Sequence, residues 1–406
     1  MVDLVVDSSK RRLDLQALRA LAVIAVVVYH AWPGLMPGGY LGVDVFFVVS
    51  GYLITRHLVG ERVRTGRIRL GRFYIRRARR LLPAATVVLA VSAVVTVFVV
   101  PGHQWRTYFE QIIGSALYVQ NWVLLAEAHR PFDTAVLHFW SLSVEEQFYL
   151  VWPLLVIGGA ALAARLRKPP RAVLVVGASV IVAASLALWI ITSSQDYNLA
   201  YFSTATRAWE FAAGGALALL PALRVVGARA DALFWAGLTA LVASMLIIGG
   251  NPGALTVIPV SAAIAIIVAC NAGLPRSARA LVSWRPVQWT GDISYALYLW
   301  HWPVLVFAPY FTGVPSETWF MVILLGFAVV LSWATTQLIE NPVRRTPLDD
   351  EQFRPRRRIQ GLAVSVGLVT TLVVAGSGTW TANEQQAHHE ACLDRKNTRI
   401  VTETRS

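Results

Sequence analysis

LDLQALRALAVIAVVVYHAWPGLMPGGYLGVDVFFVVSGYLITRHL (13–58) decides the fold. A helix that crosses a bilayer needs roughly 20 mostly apolar residues. The stretch holds two such runs, near 15–33 and 40–59, divided by a short turn rich in Pro and Gly. The first run has no small-residue cleavage site and a second follows at once, so it reads as a retained span, not a signal peptide. Further windows lie near 83–101, 138–162, 171–193, 205–221, 232–250, 254–272, 291–311, 317–340 and 360–380. The chain therefore reads as an all-α polytopic membrane protein with about 11 transmembrane helices. Composition agrees: 56% of its 406 residues are hydrophobic and only 15% charged, against about a quarter charged in soluble domains. That excludes a soluble enzyme, a disordered protein and a disulfide-stapled domain. Two cysteines, Cys270 and Cys392, cannot build a metal cluster, and no metal site is expected. The stretch 108–125 carries Glu110, Gln111, Gln120 and Asn121 and is placed outside the bilayer.

Charge sets the orientation. The net charge of +13 invites a nucleic-acid reading, but position decides. With the N-terminus in the cytoplasm and alternating spans, 28 Lys and Arg fall on the inner side and three, Arg106, Arg130 and Arg207, on the outer. That is a strong positive-inside signal. It puts the C-terminus outside, in a multi-pass protein of the cell (inner) membrane, and leaves no need for nucleic acid.

An ionisable group inside a span costs roughly 3 kcal/mol or more. Arg19 and His30 are 11 residues apart, which is about 16.5 Å and three turns plus ~20° on a helix. They share a face at opposite ends. Singly, Arg19 fits a snorkelling residue and His30 an interfacial one; as a matched pair they are harder to dismiss. Asp44 lies just below the outer end of the second span, His138 at the mouth of the fourth, and Glu145 and Glu146 about 10 Å deeper. Arg207 and Glu210, three apart, can pair. His30, Asp44, His138, Glu145, Arg207 and Glu210 are thus expected to share one polar cavity in the outer half. His301, mid-membrane in YLWHWPVL, either lines the passage or hydrogen-bonds between helices. At the inner side, RIRLGRFYIRRARRLLP (67–83) reads as a basic interfacial helix on anionic lipid or as a phosphate site, since guanidinium forks grip phosphate oxygens. A P-loop and a dinucleotide fingerprint are both missing.

Several motifs together resemble the acyltransferase-3 family of integral membrane O-acyltransferases over about residues 13–345. They are the Arg19/His30 pair, GVDVFFVVSGYLI (42–54), RRARRLLP (76–83), HFWSLSVEEQFYLVWP (138–153), TRAWEFAAGGALA (206–218), SYALYLWHWPVL (294–305) and ENPVRR (340–345). The resemblance implies transfer of an acyl group, commonly acetyl, from cytoplasmic acyl-CoA to a hydroxyl of an extracytoplasmic carbohydrate. It maps the family's Arg/His pair onto Arg19 and His30, its acidic residue onto Glu145, and its arginine motif onto Arg77 and Arg80, with Arg76 beside them. His30 is then the expected base, acting directly or through an acyl-His, with Glu145 as its partner. An imidazole suits proton transfer near neutrality. Asp44, His138, Arg207, Glu210 and His301 are expected to line the cavity.

The expected organisation is a ten-span acyltransferase domain (1–345), a basic linker with an eleventh span (346–380), and an extracytoplasmic tail (381–406). In the family such a last span often leads to an SGNH-like esterase domain. The 26 residues after Trp380 are too few to bury a core, so the tail is read as the stub of a missing domain. The lipid bilayer and a glycan acceptor are the expected partners, and homo-oligomerisation is left open. The competing reading is a transporter or flippase for an acylated or lipid-linked substrate. It expects internal repeats, and no convincing repeat is seen.

Overall fold

The computed structural model describes residues 11–126, 133–221, 223–312 and 317–345. Helices α1 (Leu13–Ala31), α2 (Gly42–Thr65) and α3 (Leu70–Val99) are followed by the short α4 (Trp105–Ala116) and α5 (Gln120–Ala126). Then come α6 (Phe139–Arg165), α7 (Pro170–Gln195), α8 (Tyr197–Phe202), α9 (Thr204–Leu219), α10 (Ala228–Ile247) and α11 (Val257–Ala269). The short α12 (Arg279–Ser283), then α13 (Arg285–Thr312) and α14 (Thr318–Thr335), complete the bundle. Among the described residues there is no strand, and seven helices are long and apolar enough to cross a membrane: α1, α2, α3, α6, α7, α10 and α14. Helices also occupy the windows at 205–221, 254–272 and 291–311. There α9 and α11 are short, and α13 carries prolines, tyrosines and tryptophans that dilute its apolarity. The eleventh window and the tail lie outside the described residues.

Two stretches singled out in the sequence matter for the site. The arginine run is no separate interfacial helix: α3 starts at Leu70 and continues through Pro83 to Val99. Its polar first turns need no break, because groups on other elements take up the guanidinium charge, as described below. The stretch 108–125, placed outside the bilayer, divides at Tyr118, whose φ is +56°. Its two helices are too short to span, yet Gln111, Gln120 and Asn121 are buried.

Close backbone approach sets the packing. A Cβ on Gly51 would strike the carbonyl of Phe211, and one on Gly214 the carbonyl of Val48. Small residues let α2 and α9 touch in this way. Gly291 performs the same service for α13 against Gln16 of α1. The starts of α1 and α13 are further tied by Arg11–Asp292 (2.6 Å), by Gln16 Nε2 donating to Asp292 (2.6 Å) and by Gln288 donating to the Leu13 carbonyl (2.9 Å). The two helices therefore run side by side from the basic end, and their far ends meet again at His30 and His301.

Candidate active site

A cavity of about 360 Å³ opens among α1, α2, α3, α6 and α13. On α2 its wall runs from Val43 to His57, 14 residues or about 21 Å of helix. One end is cationic, lined by Arg19, Arg76, Arg77, Arg80 and His57; the other is closed by Val43, Phe46, Leu142, Ser141 and Tyr298. Between them stand Ser50, Glu145 and Tyr149.

The four arginines are not equivalent. Arg77 is fully engaged: its Nη2 donates to Glu145 (3.0 Å), its Nε to Glu146 (3.1 Å), and its guanidinium lies 3.2 Å from the centroid of the Tyr149 ring. Glu145 Oε1 also accepts from Ser50 (2.7 Å) and from Tyr149 (2.5 Å). Arg76 contacts His57 Nε2 (2.9 Å) and stands 3.6 Å from Glu61. Arg19 donates to Gln16 (2.9 Å). Arg80 is exposed in the cavity wall and makes no hydrogen bond or ion pair among the described residues. Glu145 is the one carboxylate that lines this wall, while Glu146 and Glu61 reach Arg77 and Arg76 from outside it, so Arg80 and Arg19 are the wall guanidinium groups without an ion pair among the described residues.

Beyond the closed end lies a histidine cluster. His301 Nδ1 is 3.0 Å from the Leu297 carbonyl, and its Nε2 is 2.9 Å from His30 Nδ1. A carbonyl only accepts, so His301 Nδ1 carries the proton. In neutral His301, Nε2 must then accept, and His30 Nδ1 must donate to it. The chain of assignments leaves His30 Nε2 with its lone pair free, on a half-buried ring beside Trp302. His138 Nε2 likewise faces the Leu299 carbonyl (3.2 Å), and its buried Nδ1 has no partner. Tyr298 belongs to both, lining the cavity and touching the cluster. Its ring centroid is 5.4 Å from that of His138 and 5.5 Å from that of His301; its hydroxyl accepts from Ser141 (2.6 Å) and donates to the His138 carbonyl (3.0 Å).

The single outer cavity expected from sequence is thus three separate groups. Glu145 is held by Arg77, not by His30; it sits nearly two helical turns along α6 from His138, within reach of α3 and not of the far end of α1. Asp44, Arg207 and Glu210 do not line the cavity. Arg207 pairs with Asp44, and its Nε lies 3.2 Å from Glu210. The three side chains are essentially unexposed, and the guanidinium is surrounded by the rings of Phe47, Trp189 and Tyr201. The Gly51/Gly214 contact that brings α2 against α9 explains why Asp44 meets Arg207. His138 and His301 also lie outside the cavity wall, in the histidine cluster. Arg76, Arg77 and Arg80 line one end of the cavity together, and Arg19, paired in sequence with His30, joins them there. Ser50, Tyr149 and Tyr298 were missed, although each stands inside a motif already singled out and Tyr149 is one turn from Glu145. Among the described residues no group of three His, Cys, Asp or Glu is placed to hold a metal.

Comparison with known proteins bears on this arrangement. A family model described as an acyltransferase domain matches residues 12–337. The chain is 30% identical over 403 residues to the putative peptidoglycan O-acetyltransferase YrhL of Bacillus subtilis, covering 92% of the chain and 62% of that relative. It is 30% identical over 355 residues to the peptidoglycan O-acetyltransferase OatA of Listeria monocytogenes, covering 82% and 56%. It is 31% identical over 406 residues to the O-acetyltransferase OatA of Staphylococcus aureus, covering 95% and 66%. The chain therefore spans about three-fifths of the length of these relatives. No solved structure matches it.

Proposed function

The chain belongs to the acyltransferase-domain family, and from that premise we propose that it is a membrane O-acyltransferase moving an acetyl group from cytoplasmic acetyl-CoA to a hydroxyl of a cell-wall glycan outside the cell membrane. One observation carries the reading: a cavity with excess arginine at one end stops, at the other, beneath a histidine pair whose hydrogen bonds leave His30 Nε2 free. The phosphates of CoA suit the cationic end. Arg80, with no partner of its own, and Arg76 are the phosphate ligands, and Arg19 supports the donor deeper in the bundle. Arg77, already held by two glutamates, shapes the wall and fixes Glu145.

In the transfer, His30 Nε2 removes the proton of the acceptor hydroxyl while that oxygen attacks the thioester carbonyl. The C–S bond then breaks, the thiolate leaves with CoA, and the proton on His30 is returned to it. The net change is one ester formed and one thioester lost. Residues 1–345 form the unit that does this chemistry. The peptidoglycan-directed names of the relatives favour a peptidoglycan sugar as acceptor.

The test is thiol release. The purified chain in detergent, given acetyl-CoA and soluble peptidoglycan fragments, should liberate free CoA thiol and yield acetylated fragments by mass spectrometry. A transporter or flippase would do neither, and that outcome would end the proposal.

A further inference from the structure

We infer that Phe46, packed against Tyr298, sets the length of acyl group the cavity accepts and restricts it to very short chains. The inference rests on the donor reading above, since only a thioester whose phosphates lie among the arginines presents its acyl group to the opposite end.

That opposite end is apolar and has one adaptable side chain. Tyr298 is fixed by Ser141 and the His138 carbonyl, and its ring stands against His138 and His301. Phe47 is buried, stacked at 4.2 Å on Phe211, which is itself stacked on Phe148 at 4.5 Å. Phe46 is only half-buried, lines the cavity, and meets Tyr298 edge-on with centroids 6.2 Å apart. A thioester carbonyl brought up to Tyr298 must lay any alkyl extension against Phe46. Each extra methylene then has to displace that ring. One methylene too many in an apolar pocket is worth about 10–200-fold in specificity, so two should separate acetyl from butanoyl strongly.

The experiment compares thiol release from acetyl-CoA and from butanoyl-CoA, with soluble peptidoglycan fragments as acceptor, for the unaltered full chain and for Phe46→Ala, Phe46→Leu and Leu53→Ala. The unaltered chain should prefer acetyl. In Phe46→Ala the acetyl-to-butanoyl ratio should fall at least about tenfold, and in Phe46→Leu by less. Leu53 lines the same cavity about 10 Å nearer the basic end, so Leu53→Ala should leave the ratio unchanged. If Phe46→Ala fails to fold, the gentler Phe46→Leu decides alone. An unaltered ratio in a Phe46 variant that still uses acetyl-CoA would overturn the inference while leaving the acyltransferase reading in place. An equal shift in Leu53→Ala would overturn it too, as general loosening. Thiol release from neither thioester by the unaltered chain would remove the donor reading, and this inference with it.

Discussion

Arg77 and Arg207 look alike at first: each is an arginine in an apolar helix, and in the structure each meets two carboxylates. Their surroundings differ. Arg207 and Asp44 are each about 1% exposed and enclosed by aromatic rings, whereas Arg77 and Glu145 are 16% and 17% exposed and face a cavity. The sealed cluster joins α2 to α9 and has no opening through which a substrate could reach it. The open cluster has neighbours with unused valence, Arg80 above all. Burial of a charge therefore marks either a strut or a site, and what separates the two is whether the charged group faces a cavity that a ligand can enter.

The largest effect should come from the sealed cluster. Replacing Arg207 by Leu strands two buried carboxylates, and breaking a buried pair in this way costs about 3–5 kcal/mol. Monodisperse protein recovered in detergent should be largely lost. Adding Asp44→Asn and Glu210→Gln should restore it, because the stranded charge is then gone. Arg77→Gln should be tolerated better, since Glu145 faces a cavity that still holds three other arginines and Glu146 is 24% exposed. Equal loss of folded protein in Arg207→Leu and Arg77→Gln would erase the distinction between strut and site.

His30 is next. Its free Nε2 belongs to the class with unused valence, and general-base catalysis is typically worth 10²–10⁴-fold. His30→Gln should fold and still bind CoA, yet lose transfer by about a thousandfold, or ~4 kcal/mol of barrier. Retention of more than about a tenth of the rate, a deficit of only ~1.4 kcal/mol, would make His30 structural and turn attention to His138.

How much of this was legible beforehand follows the same division. Apolar runs show spans because the bilayer imposes a length, and helical rise and rotation put Arg19 and His30 on one face of α1. Periodicity within one helix says nothing of which neighbour lies opposite. Sequence therefore places Glu145 beside His30, and Asp44, Arg207 and Glu210 in one cavity with them, where the structure has three separate groups. The start of α3 was hidden for a related reason. A run of arginines reads as a membrane boundary unless the carboxylates that accompany it, here on α6, are known to be adjacent. For His301 the sequence allows two roles, and the Leu297 carbonyl and the His30 nitrogen assign it the hydrogen-bonding one.

A smaller effect is expected at Arg80. Hydrogen bonds to charged groups are worth about 1.5–3 kcal/mol, so Arg80→Gln should weaken CoA binding about 10–100-fold. Titration calorimetry with CoA at two salt concentrations should also show a flatter salt dependence than the unaltered chain. Arg77→Gln should weaken binding less, because its guanidinium is already committed to Glu145 and Glu146. The reverse order would mean that Arg77 releases its glutamates to take the phosphate, and would move it from the wall into the binding set.

The smallest effect, and the sharpest test of unused valence, concerns His301. Its two nitrogens are both spent, one on the Leu297 carbonyl and one on His30, so it acts only through His30, by fixing which nitrogen of that ring keeps its proton. Gln places an amide oxygen near the position of the histidine Nε2 and can still accept from His30 Nδ1–H. Leu fills similar space and cannot. Without the acceptor, neutral His30 is free to carry its proton on Nε2 instead, and the fraction of rings with a basic nitrogen toward the acceptor hydroxyl falls. His301→Leu should therefore lower turnover about tenfold, ~1.4 kcal/mol, with KM for acetyl-CoA unchanged, because the cavity wall does not include His301. His301→Gln should stay within a few-fold of the unaltered chain. A direct catalytic role would instead make Gln as damaging as Leu, and a purely packing role would make Leu the milder of the two.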